Sequence, residues 1–192
     1  NDVTLKTLGE HGVDKIDVTG AALDLTAVQA GALGVVVFTT TNAVRISDTV
    51  AEIQKLNATQ LTALAKAGLD AIRVSDPAAG VPSTVPVLTL TLDQAKALTL
   101  AHADVTDPSV HIIDQQIVIS SDGDVVIDAA CALIHAASAR EIGYFHDVGI
   151  KSININGDNV VAISVEQYRA LNGVVFTSDS KVTLSDTADH LK

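Results

Sequence analysis

Apolar positions in this chain follow two periods, short runs spaced for strands and longer runs spaced for helices. Residues 3–12 read as the last turns of a helix closed by Gly12, and Val13, Ile16 and Val18 as a short strand after it. Residues 21–25 read as a brief apolar connection. Thr26 stands three residues before Gln29, the spacing of a capping box, so residues 26–33 are expected to be helical. Residues 35–38 and 44–46 follow as short strands. Ser47-Asp48 is expected to open a helix whose apolar face is Val50, Ile53 and Leu56, and residues 57–60 restart that pattern toward Gly68 through Leu61, Leu64 and Ala65. Ile72 and Val74 mark the next strand. Residues 88–98 return to the strand-then-helix pattern, with Thr91 and Gln94 in the positions of Thr26 and Gln29. Residues 116–120 form an expected strand. The turn signal Asp122-Gly123 predicts that residues 117–119 and 125–127 pair as a hairpin. Residues 151–159 read as a strand and a polar turn.

The same text occurs more than once. Residues 25–49 and 163–187 align without a gap, 138 residues apart, and 11 of 25 positions are identical. Ordinary composition would give roughly two. The identities include Gln29/Gln167, Val36/Val174, Phe38/Phe176, Val44/Val182, Asp48/Asp186 and Thr49/Thr187. A second match, 81 residues apart, relates residues 43–74 to 124–155 and keeps apolar or glycine residues at Val44/Val125, Ile46/Ile127, Ile53/Ile134, Leu64/Phe145, Gly68/Gly149 and Ile72/Ile153. Together they define an alternating unit of strands and helices. Residues 76–86, which carry three of the four prolines, and residues 102–122 read as insertions. No flexible linker interrupts the chain, so residues 1–192 are expected to form a single repeat-containing domain.

Strands alternating with helices argue for an α/β fold with parallel pairing. Repetition extends this to a repeat-built solenoid of short parallel strands and helices; a compact α/β domain is the alternative. The T-x-x-Q-x-x-A-L helix, the Gly-Val entry into a strand and the V-x-[IL]-S-D-T element resemble the tandem α/β repeats of very large secreted, hemolysin-type (RTX-associated) proteins of proteobacteria. The resemblance covers most of the chain outside the two insertions. It implies an extracellular or cell-surface location and a spacer or adhesive role, with neighbouring repeats or surface polymers as partners. The calcium-binding G-G-x-G-x-D nonapeptide is absent, so the calcium roll of those proteins is not carried over.

Composition narrows the function classes. Hydrophobic residues make up 47% of the chain but aromatics only 3%, so Ala, Val, Leu and Ile must fill the interior, which suits regular layers better than an aromatic-lined pocket. A formal charge of −11 disfavours nucleic acid and anionic lipid, both of which need clustered Lys and Arg. No apolar run approaches a membrane span, so no membrane insertion is expected. Without an initiator Met and with an opening helix-like stretch, the chain reads as a mature or trimmed piece of a larger protein. The lone Cys131 reads as a small buried hydrophobe.

Candidate chemistry is sparse. Asp122 and Asp124, around Gly123 and after Ser120-Ser121, form the best local set of hard oxygens, and calcium is the ion they would suit; a plain turn is the competing reading. Asp48, Asp76, Asp128 and Asp186 could form an acidic ladder along one edge, although helix capping explains Asp48 and Asp186 unaided. The six histidines, His11, His102, His111, His135, His146 and His190, make no zinc spacing. Glu141, Tyr144, His146 and Asp147 are the densest polar cluster and read as a solvated helix end. There is no nucleophile elbow, Walker loop or dinucleotide fingerprint. No cofactor and no enzymatic activity are expected. A structural or interaction module of a secreted protein is the leading expectation; a calcium- or polysaccharide-binding domain and an enzyme fragment with its site in the insertions are the alternatives.

Overall fold

Among the described residues every strand pairing is parallel, and helices make the crossovers. In the computed structural model, residues 7–8, 10–34, 36–39, 43–75, 87–99, 117–121, 123–157 and 160–190 are described. The strands are β1 (Lys15–Ile16), β2 (Leu23–Leu25), β3 (Val37–Phe38), β4 (Val44–Asp48), β5 (Ala71–Val74), β6 (Leu88–Thr91), β7 (Val118–Ser120), β8 (Val125–Ala130), β9 (Ser152–Asn156), β10 (Val160–Ile163), β11 (Val175–Phe176) and β12 (Lys181–Leu184). The helices are α1 (Ala27–Gly31), α2 (Val50–Ile53), α3 (Ala58–Ala67), α4 (Leu92–Thr99), α5 (Cys131–Ala136), α6 (Ala139–Asp147) and α7 (Val165–Ala170). The protein is thus an α/β fold with parallel sheets, as the alternation of elements predicts.

Among the described residues the strands form two four-stranded sheets, β2-β4-β5-β7 and β6-β8-β9-β11, and two two-stranded sheets, β1-β3 and β10-β12. Their registers correspond. Leu23 lies opposite Val44, Leu88 opposite Val125, and Val161 opposite Val182. Ile46 lies opposite Ile72 as Ile127 lies opposite Ile153. Ile16 faces Phe38, Ile72 faces Ile119 and Ile153 faces Phe176. Residues 36–38 and 174–176 therefore share their surroundings: each stretch ends in a short parallel strand, with Val36 and Val174 both buried.

Local signals account for the helices. Thr26, Asn57, Ser138 and Ser164 each accept a hydrogen bond from the backbone of the residue three further on, and the side chain of that residue returns to the cap N–H. The α3 helix ends at Gly68 in the left-handed region, φ 96°, and the chain then drops into β5. Burial of Leu61 and Leu64 from α3, Ile142 and Phe145 from α6, and the inward residues of β4, β5, β8 and β9 produces one contiguous aliphatic core. Phe145 is fully buried within it.

Three expectations need correction. The hairpin of residues 117–119 with 125–127 does not form: β7 pairs with β5, whereas β8 lies between β6 and β9 in the other four-stranded sheet. Residues 21–25 are not a mere connection, because Leu23–Leu25 is strand β2. Asp48 is the last residue of β4, and Thr49 is the N-cap of α2. Residues 151–159 begin with the expected strand, β9, and a bend at Gly157, and the strand β10 follows from Val160. The insertion at 76–86 lies outside the described residues, as does that at 102–122 except for 117–121.

Candidate functional site

The polar side chains with the most consequence join one segment of the fold to the segment before it. Gln94, in α4, accepts from the Thr91 N–H at 2.8 Å through Oε1 and donates through Nε2 to the carbonyl of Leu56 at 2.7 Å. Gln167, in α7, accepts from the Ser164 N–H at 2.8 Å and donates to the carbonyl of Ala137 at 2.6 Å, with His135 O at 3.2 Å. Both glutamines are buried. Each amide thus closes its own helix start with one atom and, with the other, satisfies carbonyls at the end of an earlier helical turn that would otherwise lack donors. Gln29 makes the same cap with Thr26 but is only half-buried.

A second linkage uses aspartate. Asp48 Oδ2 accepts from the Ala27 N–H at 2.9 Å, the first amide of α1, and Oδ1 accepts from the Thr49 N–H at 2.8 Å. Asp186 does the same with Val165, at 3.0 Å, and Thr187, at 2.7 Å, and its Oδ1 also lies 2.7 Å from His190 Nδ1. These carboxylates cap helices, as expected, but the helix is the one preceding the strand. The hydrogen bond from Val165, followed by those from Thr187 and His190, holds the Asp186 carboxyl below the ordinary aspartate value. A depressed folded-state value gives stability that is present above the unfolded value and lost as pH falls through the folded one. Asp186→Ala should therefore lower the melting temperature at neutral pH, and the gap from the parent chain should close on acidification below the ordinary aspartate range. A gap that is constant from neutral to strongly acidic pH would contradict this assignment.

The remaining candidates are dispersed. Asp122 lies outside the described residues. Asp124 is largely exposed and faces the Lys151 ammonium at 3.5 Å, while that ammonium donates to the Gly123 carbonyl at 3.0 Å. A lysine thus sits at the turn that was read as a calcium candidate. Asp128 accepts from Asn154 Nδ2 at 2.7 Å, across neighbouring strands, and Asp76 lies outside the described residues. No group of three or more His, Cys, Asp or Glu side chains suited to a metal ion occurs among the described residues.

The polar cluster of α6 separates into two ends. Glu141 belongs to the first turn, where it accepts from Ser138 and pairs with Lys96 at 3.0 Å. Burial raises its pKa, but the hydrogen bonds from Ser138 and Lys96 outweigh this and leave it lowered. His146 and Asp147 sit in the last turn, 3.3 Å apart and exposed, and Arg140 donates to the Tyr144 hydroxyl at 3.0 Å. Cys131 is half-buried rather than buried, and its Sγ lies 2.6 Å from the Val160 carbonyl. His135 Nδ1 is 2.8 Å from Ala162 O, and His11 Nδ1 is 2.7 Å from Thr7 O; His102 and His111 lie outside the described residues. A surface groove of about 750 Å³ lies between α1 and the α2–α3 region, lined by Ala27, Val28, Gly31, Leu33 and Leu56 with Gln60 at its side. Glu10, Glu52 and Lys55 also line it, and Lys55 pairs with Glu52.

One signal in the sequence went unread. Residues 1–18 match residues 57–74 without a gap at Asn1/Asn57, Leu5/Leu61, Leu8/Leu64, Gly12/Gly68, Asp14/Asp70, Ile16/Ile72 and Val18/Val74. That match would have placed β1 as the counterpart of β5.

No family model and no curated protein matches the chain. Among solved structures, it is similar to a 2,3-dimethylmalate lyase, a PEP mutase/isocitrate lyase superfamily member, at 11% identity over 92% of this chain and 72% of that chain, with a TM-score of 0.22. A score that low carries no argument about fold or activity. No helix among the described residues is long and apolar enough to cross a membrane.

Proposed function

We propose that this chain is a structural or interaction module without catalytic activity, a repeat-built α/β solenoid segment of a secreted or cell-surface protein that spaces or presents surfaces. The observation that carries this reading is the correspondence of strand registers at successive junctions: Ile46 opposite Ile72 where β4 meets β5, and Ile127 opposite Ile153 where β8 meets β9. The buried glutamines support it, since Gln94 reaches Leu56 O and Gln167 reaches Ala137 O in the same way. In this reading each unit completes its sheet with strands from the next, so a unit is stabilised by its neighbours. The reactive side chains are dispersed over the surface, which favours a mechanical or adhesive role over chemistry.

A tandem chain tests the proposal. Lys192 aligns with Gln54, so two copies joined through Lys-Leu, the residues between Gln54 and Asn57, would keep the spacing of the internal junction. That tandem should melt about 5 °C or more above the single chain at high dilution, because at that dilution only the tandem buries a new junction in register. Equal melting temperatures would overturn the repeat-module reading and favour a self-contained α/β domain.

A further inference from the structure

We infer that the two ends of this fold are complementary docking surfaces, and that a second copy of this chain seats its β1 strand on the open edge of β12. The inference rests on the repeat-module reading above and adds to it the partner and the register. Inside the chain, β4 has β2 on one side and β5 on the other, and β8 has β6 and β9. Among the described residues, β12 has only β10, and β1 has only β3. The two-stranded sheets are the two halves of the four-stranded arrangement: β10-β12 matches β2-β4, and β1-β3 matches β5-β7.

The deficits in burial match as well. Val44 and Ile46 of β4 are fully buried, whereas their counterparts Val182 and Leu184 are 38% and 45% exposed. At the other end Leu8, Val13, Ile16 and Val18 are only half-buried, although Leu64, Leu69, Ile72 and Val74, their counterparts at the β4–β5 junction, are buried. Each end therefore shows aliphatic surface of the kind that the internal junctions cover. An edge that combines free backbone groups with aliphatic side chains is a template for strand addition.

The register follows from the internal junctions. Arg45 lies opposite Ala71 and Ile46 opposite Ile72, so Thr183 should lie opposite Lys15 of the second copy and Leu184 opposite Ile16. The Asp70 N–H donates to Val44 O, and the Lys151 N–H to Val125 O; the corresponding bond runs from the Asp14 N–H of the second copy to Val182 O. Joining unlike ends makes the contact heterologous, so association continues head to tail instead of stopping at a symmetric dimer. With a formal charge of −11 on each copy, salt should strengthen it by screening repulsion.

The test uses the 192-residue chain with Cys131→Ser, so that introduced thiols react alone. Thr183→Cys and Lys15→Cys are made in separate chains and mixed under mild oxidation at high protein concentration and moderate salt. The mixture should give a disulfide-linked pair at least about tenfold faster than Thr183→Cys mixed with Lys66→Cys, a control at another exposed lysine, in α3 and away from both edges. In sedimentation the parent chain should exceed its 19.8 kDa mass as concentration and salt rise. Leu184→Lys, at an exposed edge position, should keep the fold by circular dichroism and shift that association to at least about tenfold higher concentration. Cross-linking no faster than the control, or a monomer at millimolar concentration, would overturn the docking inference. If the Lys-Leu tandem is stabilised while separate chains stay apart, the docking inference fails and the module reading stands; if the tandem gains nothing, the module reading itself fails.

Discussion

Gly149→Ala should be among the most destabilising single changes in this protein, at about 3–4 kcal/mol, and Gly68→Ala and Gly12→Ala should cost much less. All three glycines adopt positive φ, between 79° and 96°, so an alanine at any of them meets the left-handed penalty of roughly 1 kcal/mol or somewhat more. The surroundings separate them. A Cβ at Gly149 would stand 2.8 Å from the Ile119 carbonyl oxygen, a backbone atom that cannot rotate away. At Gly68 the nearest atom, Phe38 O, is 3.5 Å away, and at Gly12 nothing lies within 4 Å. Relieving the clash at Gly149 means displacing β7, whose Ile119 N–H donates to Val148 O at 2.9 Å, and overpacking of this kind adds about 1–3 kcal/mol. Urea denaturation of the three alanine variants checks the order; equal losses would mean that backbone strain alone governs these positions.

The same glycines show what was legible in the sequence. Helix ends and capping boxes are local, set by residues three or four apart, so Gly12, Gly68, Thr26 with Gln29 and Thr91 with Gln94 could be placed from the text alone. Strand partners are not local. The Asp122-Gly123 signal favours a short-range hairpin, but in this fold both flanking strands are drawn into parallel pairings with strands far away in sequence, and the α/β crossovers win over the turn. The strand β2 is only three residues, Leu23–Leu25, too short to show a period, and it is defined by its pairing with β4. Asp48 and Asp186 were identifiable as caps, because carboxylates before a Thr at a helix start are a local signal. Which helix they cap was not identifiable, since the N–H groups of Ala27 and Val165 lie 21 residues earlier. The candidate interaction surface was legible only as a duplication of text; its open edges depend on which strands find partners.

The glutamines show the same division between local and distant roles, and they make the second large prediction. Gln167→Ala should cost about 2–4 kcal/mol, and Gln29→Ala about 1 kcal/mol. Both substitutions remove a capping acceptor, Oε1 of Gln167 from the Ser164 N–H and Oε1 of Gln29 from the Thr26 N–H, each worth about 1 kcal/mol. Only at Gln167 does the loss also strip a donor from the Ala137 carbonyl, 2.6 Å away and buried, which adds the roughly 1–3 kcal/mol of an unsatisfied group. Gln94→Ala should resemble Gln167→Ala, because Gln94 serves Leu56 O in the same way. Gln167→Glu separates the two contributions: it keeps an acceptor for Ser164 but aims a carboxylate at carbonyl oxygens, so its loss should shrink as pH falls and the acid regains a proton to donate. Hydrogen exchange adds a spatial check. Because the Gln167 amide ties α7 to the end of α5, its loss should reduce protection in β10 and β12 first while β4 and β5 keep theirs. Uniform loss of protection across both sets of strands would instead mean that the two ends of the fold unfold as one unit and that this amide is one core contact among many.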